Sequence, residues 1–355
     1  MRSRLTIQTL DLHAGGEPLR LVTAGYPPAP HAPILQRRRW AREEADHVRT
    51  VICFEPRGHR DMYGAVLLPP YRDDADVAVL FMHNEGYSTM CGHGILALAS
   101  GLVEEGMFPL ATPETTIRFE TPAGLVVAHV AARIVEGAPH VHEVRFTNVP
   151  SYIAAHDLQV RPDGVTLAGE AAERGSLHLD VGFGGAYYGI VDASDVGMRV
   201  VPQQTEALTR AGAAITEVLR RDHSPAHPFE ADLGLIYGTI IVDRLPATAP
   251  DGVALDADVR NVTVFAEAEV DRSPCGTGTC ALMAQAVARG SLRPGGELRN
   301  ASLTGAVFRG RVESLTRFGG HDAIIPSVAG RGYVTGTSTF IVDARDPLGG
   351  GFLLR

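Results

Sequence analysis

The sequence predicts an α/β protein, α+β in its segregation of elements, built from two similar halves. Three observations predict it. The segments Cys91-Gly92-His93-Gly94-Ile95-Leu96-Ala97-Leu98 and Cys275-Gly276-Thr277-Gly278-Thr279-Cys280-Ala281-Leu282 both read C-G-x-G-x-x-A-L without a gap. An apolar strand pattern precedes each motif and an apolar helical stretch follows it. The chain has 355 residues, enough for two domains of ordinary size.

In the first half, Val77-Ala78-Val79-Leu80-Phe81-Met82 reads as a buried strand. Ile95 to Val103 reads as a helix, and Gly106 marks its C-terminus. Gly124 then sits beside an alternating strand in Thr121-Pro122-Ala123-Gly124-Leu125-Val126. The second half repeats this order. Val262-Thr263-Val264-Phe265-Ala266 is the strand, Ala281 to Val287 the helix, Gly290 its end, and Gly305 opens the next strand in Leu303-Thr304-Gly305-Ala306-Val307-Phe308. An internal duplication follows: two α/β domains facing each other. Further strands are expected at Val144-Arg145-Phe146, Leu177 to Val181, Ile236 to Val242 and Thr337 to Val342. Gln204 to Arg221 has helical spacing, through Leu208, Ala211, Ile215, Val218 and Leu219. Arg161 to Gly164 and Pro246 to Gly252 read as loops.

Composition narrows the function. Hydrophobic residues make up 45% and charged residues 21%, the balance of a globular protein with a core. A formal net charge of -9 argues against nucleic acid or an anionic membrane as partner. No apolar run is long enough to span a bilayer, and Met1-Arg2-Ser3-Arg4 leads into a short alternating stretch rather than a signal-peptide core. Four cysteines in so long a chain fit a reducing compartment, so a cytoplasmic location is expected. All 32 residues of the Lys+Arg count are arginine. Without lysine there is no Schiff base to pyridoxal phosphate or an aldehyde, and no Walker-type phosphate loop. No Cys-x-x-Cys or His-Glu-x-x-His occurs, and the alternating His140 and His142 lack a third ligand at usable spacing. Neither a cofactor nor a metal is expected.

A cysteine at the mouth of a helix faces unpaired N–H groups and the positive end of the helix dipole. Both favour the thiolate, so its pKa is expected to fall. The flanking glycines let the backbone approach a ligand, and successive N–H groups can grip a carboxylate. Each turn thus supplies an acid/base group and an anion clamp. Two such turns suit proton abstraction beside a carboxylate: one thiolate removes the α-hydrogen, and the other thiol returns a proton on the opposite face. The helix N-termini stabilise the charge that builds on the carboxylate.

Asn84-Glu85-Gly86-Tyr87-Ser88-Thr89-Met90-Cys91-Gly92-His93-Gly94, Asp271-Arg272-Ser273-Pro274-Cys275-Gly276-Thr277-Gly278-Thr279 and Asp11-Leu12-His13-Ala14-Gly15-Gly16-Glu17-Pro18 closely resemble the proline racemase family. The resemblance covers nearly the whole chain. It implies a fold of the diaminopimelate epimerase type, with two pseudo-symmetric domains, each a curled mixed β-sheet around a central helix. The first domain is expected over residues 1–160, with 335–355 returning to it, and the second over 161–334. The resemblance makes Cys91 and Cys275 the catalytic acid/base pair. It makes the backbone N–H groups of Gly92, His93, Gly276 and Thr277 the carboxylate clamp. It places Asp271 against the ring nitrogen of a small-molecule substrate, proline or hydroxyproline, by charge-assisted hydrogen bonding. A cap on the turn into the helix is the alternative role for Asp271.

Three activities occur in that family: proline racemisation, 4-hydroxyproline 2-epimerisation and dehydration of trans-3-hydroxy-L-proline. Its dehydratases typically carry threonine where this chain has Cys275, because a departing 3-hydroxyl replaces the second proton transfer. Cys275 therefore favours a cofactor-independent racemase or 2-epimerase. Phe54 to Ala65, His83 to Tyr87 and Asp346 to Leu354 resemble the dehydratase branch instead, which keeps dehydration, or both activities, as the alternative. A non-catalytic amino-acid binder is a third reading, disfavoured because a binder needs no thiol at either position. His59 or Asp61 could reach a ring hydroxyl or serve a turn. Cys53 is read as strand core, Cys280 as helix packing, and Gly184-Gly185 as a place of close backbone approach. The ring substituent, the preferred direction and the oligomeric state, a homodimer included, stay open.

Overall fold

The computed structural model describes residues 5–246 and 256–354. The chain packs as two compact units: the residues up to Phe146 together with those from Arg331 onward, and Thr147–Gly330. Most of the loop expected over Pro246 to Gly252, and the Met1 to Arg4 lead-in, lie outside the described residues. Among the described residues no helix is long and apolar enough to cross a membrane.

The first unit opens with β1 (Leu5–Ala14) and β2 (Glu17–Ala24), then α1 (Ile34–Glu44) and α2 (Asp46–Cys53). β3 (Tyr63–Leu68), β4 (Val77–His83) and the short β5 (Gly86–Tyr87) lead into α3 (Gly92–Glu104). β6 (Thr115–Thr121), β7 (Gly124–Val135) and β8 (Ala138–Thr147) follow. The second unit holds β9 (Ser151–Val160), α4 (Gly169–Arg174), β10 (Leu177–Phe183), β11 (Tyr187–Asp192), α5 (Thr205–Asp222), β12 (Ile236–Arg244), β13 (Val259–Phe265) and β14 (Glu269–Asp271). Then come α6 (Gly276–Ala288), β15 (Glu297–Ala301), β16 (Val307–Phe318) and β17 (His321–Gly330). β18 (Gly332–Val342) returns to the first unit, where it pairs antiparallel with β1.

The duplication is written in the pairing. In the first unit β1–β2 is antiparallel, β2–β3 parallel, β3–β4 antiparallel, β4–β6 parallel and β6–β7 antiparallel. In the second, β10–β11, β11–β12, β12–β13, β13–β15 and β15–β16 follow the same alternation. β9 pairs with β10 and also with β17, so the second sheet closes on itself. The curled mixed sheets of two pseudo-symmetric halves are therefore the fold of this chain.

Each sheet wraps one helix. Every residue of α3 from Gly92 to Val103 is buried, as is every residue of α6 from Gly276 to Gln285. Helices this apolar on all sides have no solvent face to offer. Each buried leucine or isoleucine contributes roughly 1.5–3 kcal/mol. Glycines set the packing distance. A Cβ on Gly332 of β18 would lie 2.4 Å from the Cα of Ala97, and one on Gly101 would lie 2.3 Å from Leu12 Cδ2. α5 lies outside the central helix and packs on β12 and β13, where a Cβ on Gly212 would lie 2.7 Å from Val264.

The helices at α1 and α2 were not legible in the sequence, and Cys53 is a correction. It is not strand core but the last residue of α2, fully buried. Val48, Val51 and Ile52 recur at helical spacing and face the core, whereas Ile52-Cys53-Phe54 taken alone mimics a short strand. α1 hides because its middle is Arg37-Arg38-Arg39. Arg37 is nevertheless buried, donating to Pro69 O at 2.6 Å and pairing with Glu120 at 3.1 Å.

Candidate active site

The two half-sites are local structures built alike. Cys91 is the N-cap of α3 and its Sγ accepts the N–H of Gly94 at 3.3 Å. Cys275 is the N-cap of α6 and its Sγ accepts the N–H of Gly278, also at 3.3 Å. The second glycine of each motif keeps this contact uncrowded. A Cβ on Gly94 would lie 2.9 Å from the Cys91 sulfur and 2.4 Å from Phe81 Cε1; one on Gly278 would lie 3.1 Å from the Cys275 sulfur. The remaining N–H groups of each first turn, at Gly92 and His93 and at Gly276 and Thr277, have no acceptor within the helix. All four residues are buried. A buried helix N-terminus is suited to an anionic group.

The two halves differ in detail. Cys91 has an extended backbone, with φ −144°. Its sulfur lies 3.3 Å from His93 Nδ1 and 3.6 Å from Nε2. Tyr63 meets the His93 ring edge-on at 4.9 Å and stacks on His83 at 5.5 Å. Cys275 has φ +60°, a left-handed conformation costly for a residue with a side chain. The surrounding turn holds it there. Its N–H donates to Ser273 Oγ at 3.1 Å, and Ser273 N–H donates to Asp271 Oδ1 at 2.8 Å. Asn261 and Asn300 both donate to Pro274 O, at 2.9 and 3.0 Å. Asn300 also reaches Thr279 Oγ1 at 2.8 Å, and Thr279 Oγ1 donates to Cys275 O at 2.8 Å.

Burial changes the electrostatics expected at Cys275. Loss of water pushes its thiol up to about 12, the neighbouring Asp271 charge adds to the rise, and hydrogen bonds from Thr277, Thr263 and Gly278 oppose it. The helix N-terminus alone predicts the reverse. Desolvation wins because the residue is only 5% exposed. Asp271 is likewise pushed up to about 6, first by burial, with Ser273 and Cys275 holding it down.

Asp271 thus anchors the turn through Ser273 while itself buried. His59 is exposed and bonds the carbonyl of Arg60 through Nδ1 at 2.7 Å. Asp61 is buried with φ +62°, its N–H held by Asn84 Oδ1 at 2.6 Å. The Asp61 N–H bond is a turn contact. Cys280 is fully buried within α6. Gly184 does make a close backbone approach: a Cβ there would lie 2.1 Å from Thr277 O. His140 and His142 are exposed on β8. Residues the sequence reading missed are Tyr188, Thr263, Asn261 and Asn300. The one available signal was Asn261 at the head of the apolar run Val262-Thr263-Val264-Phe265.

Two sheet-wrapped helices, each with a thiol as its N-cap, define the class of fold and of candidate site. Within that class, the proline racemase family model matches residues 9–353, and the chain belongs to that family. It is 41% identical over the full length of both chains to a trans-3-hydroxy-L-proline dehydratase of Azospirillum brasilense. It is 40% identical, again over the full length of both, to a 3-hydroxyproline 2-epimerase of Burkholderia multivorans. Among solved structures, a hydroxyproline epimerase from Agrobacterium vitis with bound trans-4-hydroxy-L-proline superposes with a TM-score of 0.87 at 31% identity, over 100% of this chain and 96% of the other. The relatives are isomerases and lyases, and this chain is an enzyme of that kind.

Proposed function

We propose that this protein is a cofactor-independent 2-epimerase of hydroxyproline, with 3-hydroxyproline as its preferred substrate. The observation that carries the reading is Cys275. It caps α6 as Cys91 caps α3, with the same sulfur–amide distance of 3.3 Å. A dehydratase has no use for a second thiol, because its 3-hydroxyl departs instead. The remainder of the chain is as similar to 3-hydroxyproline enzymes of both kinds as they are described above, which supports a 3-hydroxyl on the substrate.

In this reading the first-turn N–H groups of Gly92, His93, Gly276 and Thr277 hold the substrate carboxylate. Asp271 pairs with the ring ammonium. Cys91 as thiolate removes the α-hydrogen from one face, the electron pair delocalises toward the clamped carboxylate, and Cys275 as thiol delivers its proton to the other face. The product leaves with C2 inverted and the two sulfurs with exchanged protonation. The high pKa of Cys275 suits it to be the proton donor of the unliganded enzyme.

Dehydration of trans-3-hydroxy-L-proline is the second reading, favoured by the name of the Azospirillum relative. It shares the first proton abstraction, after which the 3-hydroxyl leaves as water and a pyrroline carboxylate forms. Incubating the enzyme with proline, trans-4-hydroxy-L-proline and trans-3-hydroxy-L-proline in heavy water separates the readings. Epimer carrying deuterium at C2, fastest from the 3-hydroxy substrate, is the expected product. Pyrroline carboxylate as the sole product would refute epimerisation, and the absence of both exchange and pyrroline carboxylate with every substrate would refute both readings.

A further inference from the structure

Cys275 does not stand alone on its helix. Its sulfur lies 3.5 Å from Thr277 Oγ1, and Thr277 Oγ1 lies 2.7 Å from the hydroxyl of Tyr188. Tyr188 sits on β11 and is 1% exposed. Its hydroxyl has this one hydrogen-bond partner among the described residues. If Thr277 donated to Tyr188, the phenolic proton would be buried with no acceptor, at a cost of about 1–3 kcal/mol. If Tyr188 donates, every proton is used: the phenol bonds Thr277, and the Thr277 hydroxyl is left to donate to sulfur. Burial first, and the Cys275 charge second, hold the phenol well above its ordinary value, so it stays a donor.

The first unit supplies a contrast. Tyr63 pairs with His83 as Gly238 pairs with Phe265, and Arg20 pairs with Gly64 as Gly189 pairs with Thr239. By that register Leu19 stands where the second unit has Tyr188. Leu19 is fully buried and apolar, and the cysteine of its unit is met by His93 instead. The phenol therefore goes with the threonine half-site and is not a requirement of the fold.

We propose that Tyr188 is a positioning residue for Cys275: by donating to Thr277 Oγ1 it aims the threonine proton at the sulfur and stabilises the thiolate that forms once Cys275 has given up its proton. A hydroxyl that accepts one hydrogen bond is also polarised into a better donor. Without the phenol, the Thr277 hydroxyl is free to turn toward a backbone carbonyl one turn back, the usual competing acceptor for threonine in a helix. This deepens the acid/base role given to Cys275 above and rests on it.

The test reads thiol chemistry in the full chain without substrate, so its outcome stands apart from whether hydroxyproline is turned over. Alkylation by iodoacetamide is followed across pH and resolved by peptide, with Cys91 as the internal control. In Tyr188→Phe the Cys275 rate should fall about tenfold at pH values below its pKa, with Cys91 unchanged. Thr277→Val should show the same fall, Thr277→Ser should restore most of the rate, and Tyr188→Phe combined with Thr277→Val should lose no more than either alone. A purely structural role for Tyr188 predicts the opposite sign, since a loosened site exposes the sulfur and speeds its alkylation. Unchanged or faster Cys275 alkylation in Tyr188→Phe would overturn the proposal. Should that variant not fold, equal rates in Thr277→Ser and Thr277→Val would overturn it too.

Discussion

The Gly278 amide donates to the Cys275 sulfur at 3.3 Å, and a methyl group on that same glycine would lie 3.1 Å from the same sulfur. The bond and the missing side chain go together here: with no Cβ three positions on, the sulfur comes this close without crowding. The doubled C-G-x-G is thus a steric signature of a capped sulfur, and it gives the first prediction. Gly94→Ala and Gly278→Ala should both lower turnover, and Gly94→Ala should be the worse. Its new methyl also meets Phe81 at 2.4 Å, whereas the other contacts of the Gly278 methyl are with Cys275 Cβ and Ile240. Overpacking of this kind costs about 1–3 kcal/mol. Urea midpoints alongside kcat would show it, and equal midpoints for Gly94→Ala and wild type would count against the packing argument.

Cys275→Thr should change the product, not only the rate. With one thiol left, inversion loses its second proton donor, and epimer formation should fall by about 10²–10⁴-fold. On trans-3-hydroxy-L-proline the remaining carbanion can still expel the 3-hydroxyl, so pyrroline carboxylate should become the main product. Product analysis by proton NMR checks this. Epimer formation at the wild-type rate would exclude Cys275 from the chemistry.

Asp271 links stability to pH. Its carboxyl is raised from 3.8 to about 6 on folding, chiefly by burial. Between those values the folded chain holds a proton that the unfolded chain has released. Stability is therefore lost as pH rises through this window, by about 3 kcal/mol in full. Asp271→Asn removes the titrating group, so the gap between variant and wild type should widen in the variant's favour from pH 4 to pH 7. A gap that does not move with pH would contradict the raised carboxyl.

The same carboxyl should govern binding in the opposite sense. A ring ammonium favours ionised Asp271, so KM for hydroxyproline should fall as pH rises through about 6. Asp271→Asn should raise KM and flatten that dependence while leaving the fold intact. A wild-type KM that ignores pH across this range would leave Asp271 with only its turn contact to Ser273.

Asn300 is expected to matter for the turn rather than for chemistry. It donates to Pro274 O at 3.0 Å and to Thr279 Oγ1 at 2.8 Å, on the turn that holds Cys275 at φ +60°. Asn300→Leu leaves buried oxygens short of a donor and should cost about 1–3 kcal/mol. Thermal unfolding measures the loss, and Asn300→Asp should not rescue it, since a carboxylate brings no N–H.

Both half-sites were legible in the sequence because they are local. A sulfur accepting an amide three residues on, a glycine where a methyl would clash, and an apolar helix following are contacts along one stretch of chain. The strand before each motif and the glycine after each helix were readable for the same reason. What the sequence did not disclose is what reaches the motif from afar. Tyr188 lies on β11, Asn261 on β13 and Asn300 on β15, and each meets the turn only because the sheet closes around α6. Cys53 misled for a related reason: three apolar residues are strand or helix until the core face of α2 decides. The sequence by itself determined two thiols on two helix N-termini. Tertiary structure decided the acidity of Cys275, because desolvation depends on how much of the fold surrounds a sulfur. At Cys275 that burial outweighs the helix end and keeps the thiol protonated.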